Sequence, residues 1–145
     1  MGAEAERAVG LMKEISAGMR GCALLDADGT ALAASGELDL WGSAASRLIG
    51  AADAARDSAP AEQVHVATED GEVYALRHAG LTMVAVTDRF TLAALVVSDI
   101  RMILRDLAAG EVRDRRAPER GEVPVARESD EEIQADPEAA TPPAA

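Results

Sequence analysis

The sequence predicts an α+β fold, an α/β sandwich in which a helix, two strands, a second helix, three strands and a third helix follow one another. Two Asp-Gly pairs, Asp28-Gly29 and Asp70-Gly71, lie between apolar runs, a pattern typical of two-residue hairpin turns. Three longer segments instead repeat apolar residues at helical spacing. The first two strands are apolar at successive positions, which indicates a sheet covered on both faces.

The first helix is predicted from about Glu4 to Ala17, because its apolar residues recur every three or four positions. Gly18 and Gly21 are suited to end it. The first hairpin then predicts one strand from Cys22 to Asp26 and a second strand from Thr30 to Ser35.

The second helix is predicted to begin at an N-cap on Asp39 and to end before Pro60, since proline removes a backbone donor and clashes with the preceding turn. Most of its apolar positions are alanine, so we expect another element to approach it closely. These apolar positions are Leu40, Ala44, Ala45, Leu48, Ile49, Ala52, Ala55 and Ala59.

Three further strands follow the second helix. Their predicted ranges are Gln63–Thr68, Val73–His78 and Leu81–Thr87. If Asp70-Gly71 forms a two-residue turn, Val66 pairs with Ala75 and Val64 pairs with Arg77.

The third helix carries a regular apolar stripe from Leu92 to Leu107, and the character of the chain changes after it. Apolar periodicity stops at Ala109-Gly110, and prolines and acidic clusters accumulate. A segment with so little apolar area cannot offset the entropy of ordering. We therefore expect a domain over residues 1–109 and a disordered, acidic, Pro-containing tail over residues 110–145.

Composition narrows the class of partner. The formal net charge of −12 argues against nucleic acid and against anionic membranes, because both call for a basic patch. Only 2% of residues are aromatic, so the core has to be built from small aliphatic side chains. The acidic N-terminus lacks the apolar segment of a signal peptide, which predicts a cytoplasmic protein. Recurrent arginine beside a single lysine favours a GC-rich, bacterial genome.

No catalytic or cofactor constellation is recognisable in the chain. It lacks a Gly-rich phosphate loop, and neither His65 nor His78 has the local signature of a hydrolase. The two histidines are predicted on one sheet face, diagonally placed on neighbouring strands, where rim positions explain them better than a zinc site without a third ligand. Cys22, among apolar neighbours, is predicted to be buried rather than reactive. We predict no catalytic residue, no cofactor and no metal site.

Trp41, Arg47 and Arg56 are candidates for contacting a partner from the second helix. Tryptophan is enriched at binding hot spots, but a tryptophan at a helix start equally well packs on the domain's own edge. The two arginines lie away from the apolar stripe, where they either meet the phosphates of a bound nucleotide or form a solvated helix face.

The order of elements, together with local motifs, resembles the roadblock / dynein light chain family over about residues 4–107. The motifs are Leu11-Met12 and Ile15 in the opening helix, the strand and turn Gly21–Gly29, the small-residue strand Leu32–Ser35 and the closing strand Met83–Val86. The resemblance implies a five-stranded antiparallel sheet with the second helix on one face and the first and third helices on the other. It also implies a non-enzymatic protein, since the family has no catalytic residues to transfer.

The resemblance further implies partners. Family members usually form homodimers or heterodimers by joining edge strands and second helices, and bacterial members commonly act with a small Ras-like GTPase. An Ala-rich second helix beside the edge of the third strand predicts that this chain also forms a homodimer. The resemblance implies a roadblock paralogue as the alternative partner in the dimer. The predicted interface residues are Ala44, Leu48, Ala52, Val64 and Val66.

Two functions remain open at this point. The first is a dimeric regulator or scaffold that binds a small Ras-like GTPase. The second is a sensory or scaffold dimerisation module with no GTPase partner, whose tail recruits another protein.

Overall fold

The computed structural model of the chain describes residues 1–57 and 59–110. The predicted tail over residues 110–145 lies outside these residues, apart from Gly110. The helices are α1 (Gly2–Ile15), α2 (Leu38–Ala54) and α3 (Ala93–Ala108), and the strands are β1 (Met19–Leu25), β2 (Ala31–Ala34), β3 (Gln63–Ala67), β4 (Glu72–His78) and β5 (Leu81–Thr87). The predicted order of elements is confirmed.

All five strands form one antiparallel sheet in the order β2-β1-β5-β4-β3. The helices cover it as predicted, with α1 and α3 on one face and α2 on the other. We call these the α1/α3 face and the α2 face. On its own face α2 packs mainly on β1 and β2, so the half of the sheet formed by β3 and β4 is less covered there.

Two apolar layers hold the sandwich together. The layer between the sheet and α1/α3 contains the largest fully buried side chains, including Tyr74, Met12 and Ile100. The layer under α2 is smaller and built of smaller residues, namely Ala23, Leu25, Ala45, Ala75 and Val84. Small side chains bring α2 close to the sheet but bury less apolar area than the opposite layer does.

Several element ends differ from the prediction. The N-cap of α2 is Glu37, not Asp39. Asp39 lies inside the first turn of the helix, where its negative charge interacts favourably with the helix dipole. The helix also ends earlier, at Ala54. β1 begins at Met19, three residues before the predicted start, because Gly18 (φ +72°) ends the preceding loop.

The first hairpin does not have the predicted two-residue turn. The amide of Asp26 donates to the carbonyl of Thr30, and Gly29, at φ +82°, donates to the carbonyl of Asp26. The carboxylate of Asp26 accepts the amides of Asp28 and Thr30, both at 2.9 Å. These hydrogen bonds from the turn to the Asp26 side chain favour a three-residue loop in which only the glycine has a positive φ. Asp28 therefore does not adopt the positive φ that a two-residue turn would require of it.

The second hairpin is also longer than predicted, and the predicted register is wrong. Val66 pairs with Val73 and Val64 pairs with Ala75, two residues away from the expected partners. The cause is Thr68, whose amide and hydroxyl both donate to the carbonyl of Gly71 and whose hydroxyl accepts the amide of Gly71. This chemistry closes a four-residue loop between β3 and β4. A two-residue turn occurs instead between β4 and β5, at Ala79 and Gly80, both at positive φ.

Cys22 is fully buried, as predicted. Burial raises the pKa of its thiol to about 11, so the side chain behaves as a small apolar residue. None of the helices in residues 1–57 and 59–110 has both the length and the apolar character that a membrane span requires.

Candidate interaction surface on α2 and β3

β3 lies at the edge of the sheet and pairs only with β4 among the described strands. Four of its five residues are exposed, and Val64 is half-buried. Val66 leaves 37% of its surface exposed although it is a large apolar side chain. An exposed apolar edge strand presents unpaired backbone donors and acceptors, which is the arrangement that favours pairing with another strand.

A row of valines crosses the α2 face from this edge. Val66 pairs with Val73, Val73 pairs with Val86, and Val86 pairs with Gly21, so the four residues lie side by side on β3, β4, β5 and β1. Val73 and Val86 are only half-buried. We call Val66, Val73 and Val86 the valine row. Sequence analysis missed Val73 and Val86 because the incomplete cover provided by α2 is a tertiary feature.

Trp41 closes the valine row at its far end. Its indole packs so tightly over Gly21 that a Cβ on this glycine would lie 2.8 Å from Cζ2 of the ring. Trp41 is therefore half-buried against the domain's own sheet, as in the second of the two predicted readings. The Nε1 edge of the ring lies beside Gly36, where a Cβ would be 3.5 Å from Nε1.

The predicted interface residues of α2 form a stripe along the helix. Ala44 is exposed, and Leu48 and Ala52 are half-buried. Leu48, Val64 and Val73 all pack on the same buried cluster under α2, which links the stripe to the valine row. Leu40 extends the stripe by one turn and is 67% exposed; its i, i+4 spacing to Ala44 is the signal that includes it.

The two candidate arginines are both exposed, but they are not neighbours. Arg47 lies on α2 beside the stripe. Arg56 was predicted inside the helix and lies beyond its end, where its amide donates to the carbonyl of Asp53 at 3.1 Å. Nine residues of helix rise on the order of 13 Å, so the structure places these arginines at separate points of the surface.

No family model and no curated protein matches the sequence. Solved structures do match. A Roadblock/LC7 domain from Streptomyces avermitilis superposes with a TM-score of 0.64 at 17% identity, over 72% of this chain and 95% of that one. Myxococcus xanthus MglB gives 0.64 at 13% identity, over 79% of this chain and 94% of that one. The chain has the roadblock fold. A third structure, described as MglB with a tetrameric arrangement, gives 0.62 at 22% identity, over 75% and 90% of the two chains.

An ion pair joins the C-terminal end of α2 to β4 of the sheet. Arg77 donates to both carboxylate oxygens of Asp53, at 3.0 and 2.8 Å, and the amide of Ala61 donates to the same carboxylate at 2.9 Å. The hydrogen bonds from Arg77, followed by that from Ala61, hold the pKa of Asp53 below its ordinary value. The pair fixes the C-terminal end of α2 over β4 and so sets where the stripe lies relative to the sheet.

This pair predicts a pH dependence of stability. Because the pKa of Asp53 is lower in the folded than in the unfolded chain, its contribution is complete above the unfolded pKa of about 4 and is lost as the pH falls towards the folded pKa. Asp53→Asn and Arg77→Gln should each lower the free energy of unfolding at pH 7. Each should also make the free energy of unfolding fall less steeply as the pH decreases below about 4. Urea titrations at several pH values measure this. If the free energy of unfolding fell as steeply in acid in both variants as in the wild type, the Asp53–Arg77 pair would not be the source of the pH dependence.

A polar network lies on the α1/α3 face near the start of α3. The hydroxyl of Tyr74 donates to Glu72, and the hydroxyl of Thr91 lies 3.0 Å from Glu72, 3.2 Å from Tyr74 and 3.1 Å from Thr87. The Tyr74 hydroxyl holds the pKa of Glu72 low, and burial raises the pKa of Tyr74. His65 stacks on Tyr74 with 4.4 Å between ring centroids. The hydrogen bonds link β4 and β5 to the loop before α3, and the stack of His65 adds β3.

The two histidines do share the α1/α3 face, but the corrected register separates them. His65 pairs with Tyr74, whereas His78 lies at the end of β4, where it pairs with Leu81 of β5 and β3 has not yet begun. In residues 1–57 and 59–110 no group of three or more His, Cys, Asp or Glu side chains is placed to hold a metal ion.

Proposed function

We propose that this chain is a non-enzymatic roadblock-type adaptor of the cytoplasm, which dimerises through α2 and β3 and uses the joined surface to bind a small Ras-like GTPase. The observation that carries the proposal is the continuous apolar surface formed by the valine row and the α2 stripe beside an open strand edge. The resemblance to roadblock proteins and the likeness to MglB structures support it.

In the proposed dimer, β3 of one copy pairs antiparallel with β3 of the second copy, which extends the sheet across a two-fold axis. Ala44, Leu48 and Ala52 of each α2 then face the same residues of the partner. Alanine at two of these positions permits close approach of the helices, and Val64 and Val66 gain cover from the partner's α2. The described surface favours this arrangement because its exposed apolar residues are contiguous.

The proposed GTPase surface is the outer side of the paired second helices. Arg47 and the open part of Trp41 lie on α2, and Arg56 lies just beyond its end. A symmetric dimer presents each of these residues twice, so one GTPase across the axis meets both copies. We propose that these residues bind the GTPase and hold its active arrangement without entering its nucleotide site.

Single-turnover GTP hydrolysis by a GTPase encoded beside this protein tests the proposal, with the adaptor in excess. Arg47→Ala and Arg56→Ala should each weaken binding about fivefold, the size expected for an exposed ionic contact, and leave the rate at saturation nearly unchanged. An arginine inserted into the active site would behave differently, since its loss costs about three to five orders of magnitude in rate.

The matched control is Arg7→Ala, which removes an exposed arginine from α1 on the opposite face. It should bind the GTPase like the wild type. A collapse of the saturated rate in either Arg47→Ala or Arg56→Ala would overturn the non-catalytic role. Absence of binding in both nucleotide states would overturn the GTPase partner and favour the scaffold module instead.

A further inference from the structure

A groove lies on the α1/α3 face, beside the first residue of β3. It has a volume of about 290 Å³ and runs between α3 and the start of β3. Arg101 and Arg105 of α3 form one wall, and Gln63 and His78 lie on the sheet side. The buried side chains of Leu76 and Leu104 line it as well.

The two arginines of the groove are exposed and lie four positions apart, on one side of α3. Nη2 of Arg101 is 3.5 Å from the amide oxygen of Gln63, which directs this guanidinium towards the groove. Among the described residues the arginine–carboxylate ion pairs are Arg20–Asp88 and Arg77–Asp53. Arg101 and Arg105 take part in neither pair, so both keep donors for an external acceptor.

The location of these charges is unusual for this chain. The protein carries a formal net charge of −12, yet three arginines line the groove against a single acidic residue, Glu62. Arg77 is paired with Asp53, which leaves the charges of Arg101 and Arg105. A local positive site on a negative protein favours a short anionic ligand over a long polyanion. A long polyanion such as DNA, or an anionic membrane, would also face the negative remainder of the surface.

We propose that this groove binds an acidic peptide segment of a partner protein in extended conformation. Residues four apart on a helix are separated by about 6 Å along its axis, and alternate residues of an extended chain by about 6.7 Å. Carboxylates at alternate positions of the peptide therefore meet Arg101 and Arg105 in turn. The planar guanidinium suits such acceptors because it donates two parallel hydrogen bonds to one carboxylate.

Fluorescence anisotropy of the full-length protein tests this with a labelled eight-residue peptide that contains Glu-Ser-Glu, at low salt and at physiological salt. The peptide should bind, and binding should weaken as salt rises. Arg101→Gln and Arg105→Gln should each reduce affinity about fivefold, and Glu62→Gln should increase it. The same peptide with Gln-Ser-Gln should not bind.

Arg89→Gln is the control variant, since it removes an equal charge from an exposed position before α3. It should retain wild-type affinity. If Arg89→Gln lost as much peptide affinity as Arg105→Gln, the loss would come from the change in net charge alone, and the proposal would be overturned. The absence of peptide binding at low salt would overturn it too, as would tighter binding to vesicles of anionic lipid or to an oligonucleotide. Because Gln63 of the groove belongs to β3, light scattering on each variant separates a loss of peptide binding from a loss of dimerisation.

Discussion

Val66→Asp should convert the proposed dimer into a folded monomer. Val66 is 37% exposed at the outer strand of the sheet, so an aspartate there remains solvated in the monomer and costs little stability. In the proposed dimer the same carboxylate lies buried at the interface, which should weaken association by about two orders of magnitude or more. Light scattering at several protein concentrations measures the change, and circular dichroism confirms folding.

The control for this variant is Leu95→Asp. Leu95 is a larger exposed apolar residue, 58% exposed, but it lies on α3 at the opposite face. It should leave the mass unchanged. Leu48→Asp should also abolish the dimer, with an added loss of stability, because Leu48 packs on the cluster under α2. A Val66→Asp protein that stays dimeric at low micromolar concentration would exclude β3 from the interface.

Gly71→Ala should destabilise the fold by about 1–3 kcal/mol, the range expected for overpacking. A Cβ at this position collides with the carbonyl oxygen of Thr87 on β5 and lies 3.2 Å from Nη1 of Arg20. The glycine is also part of the loop that Thr68 closes, so the clash cannot be relieved without breaking those hydrogen bonds. Urea denaturation measures the loss.

Gly10→Ala is the matched substitution. Gly10 is exposed within α1, and a Cβ there meets nothing within 4 Å. Alanine should therefore stabilise the protein by about 0.5–1 kcal/mol, the usual gain over glycine inside a helix. If Gly71→Ala were as stable as the wild type, the four-residue loop between β3 and β4 could not have the described geometry.

The order of the elements could be predicted because it depends on local patterns. β5 runs over Leu81–Thr87 as predicted, since its apolar residues are continuous and a glycine precedes them. The placement of helices on the two faces, implied by the resemblance, is confirmed as well. These features need only hydrophobic spacing and the points where glycine and proline interrupt it.

The hairpins could not be predicted in detail, because their geometry depends on side chains that bind backbone in the folded chain. Asp26 and Thr68 each close a loop longer than the Asp-Gly pairs suggest. Conversely, the turn at Ala79 and Gly80 places an alanine at φ +50°, a conformation that propensity disfavours for it. The hairpin tolerates it because the paired strands on both sides require a two-residue connection.

The candidate surface was predicted only in part, for a similar reason. Val64 and Val66 follow from the expected edge position of the third strand, and the α2 stripe follows from helical spacing. Val73 and Val86 look like ordinary core residues in the sequence. They belong to the surface because α2 packs on β1 and β2 and covers β4 and β5 less. The position of a helix over a sheet cannot be predicted from local sequence patterns.

Self-association is the central claim, and the molar mass of the full-length protein in solution tests it most directly. Multi-angle light scattering after gel filtration at micromolar concentration should give twice the chain mass of 15.0 kDa. A single species of 15.0 kDa would contradict the account, because the valine row and the edge of β3 would then remain exposed to water.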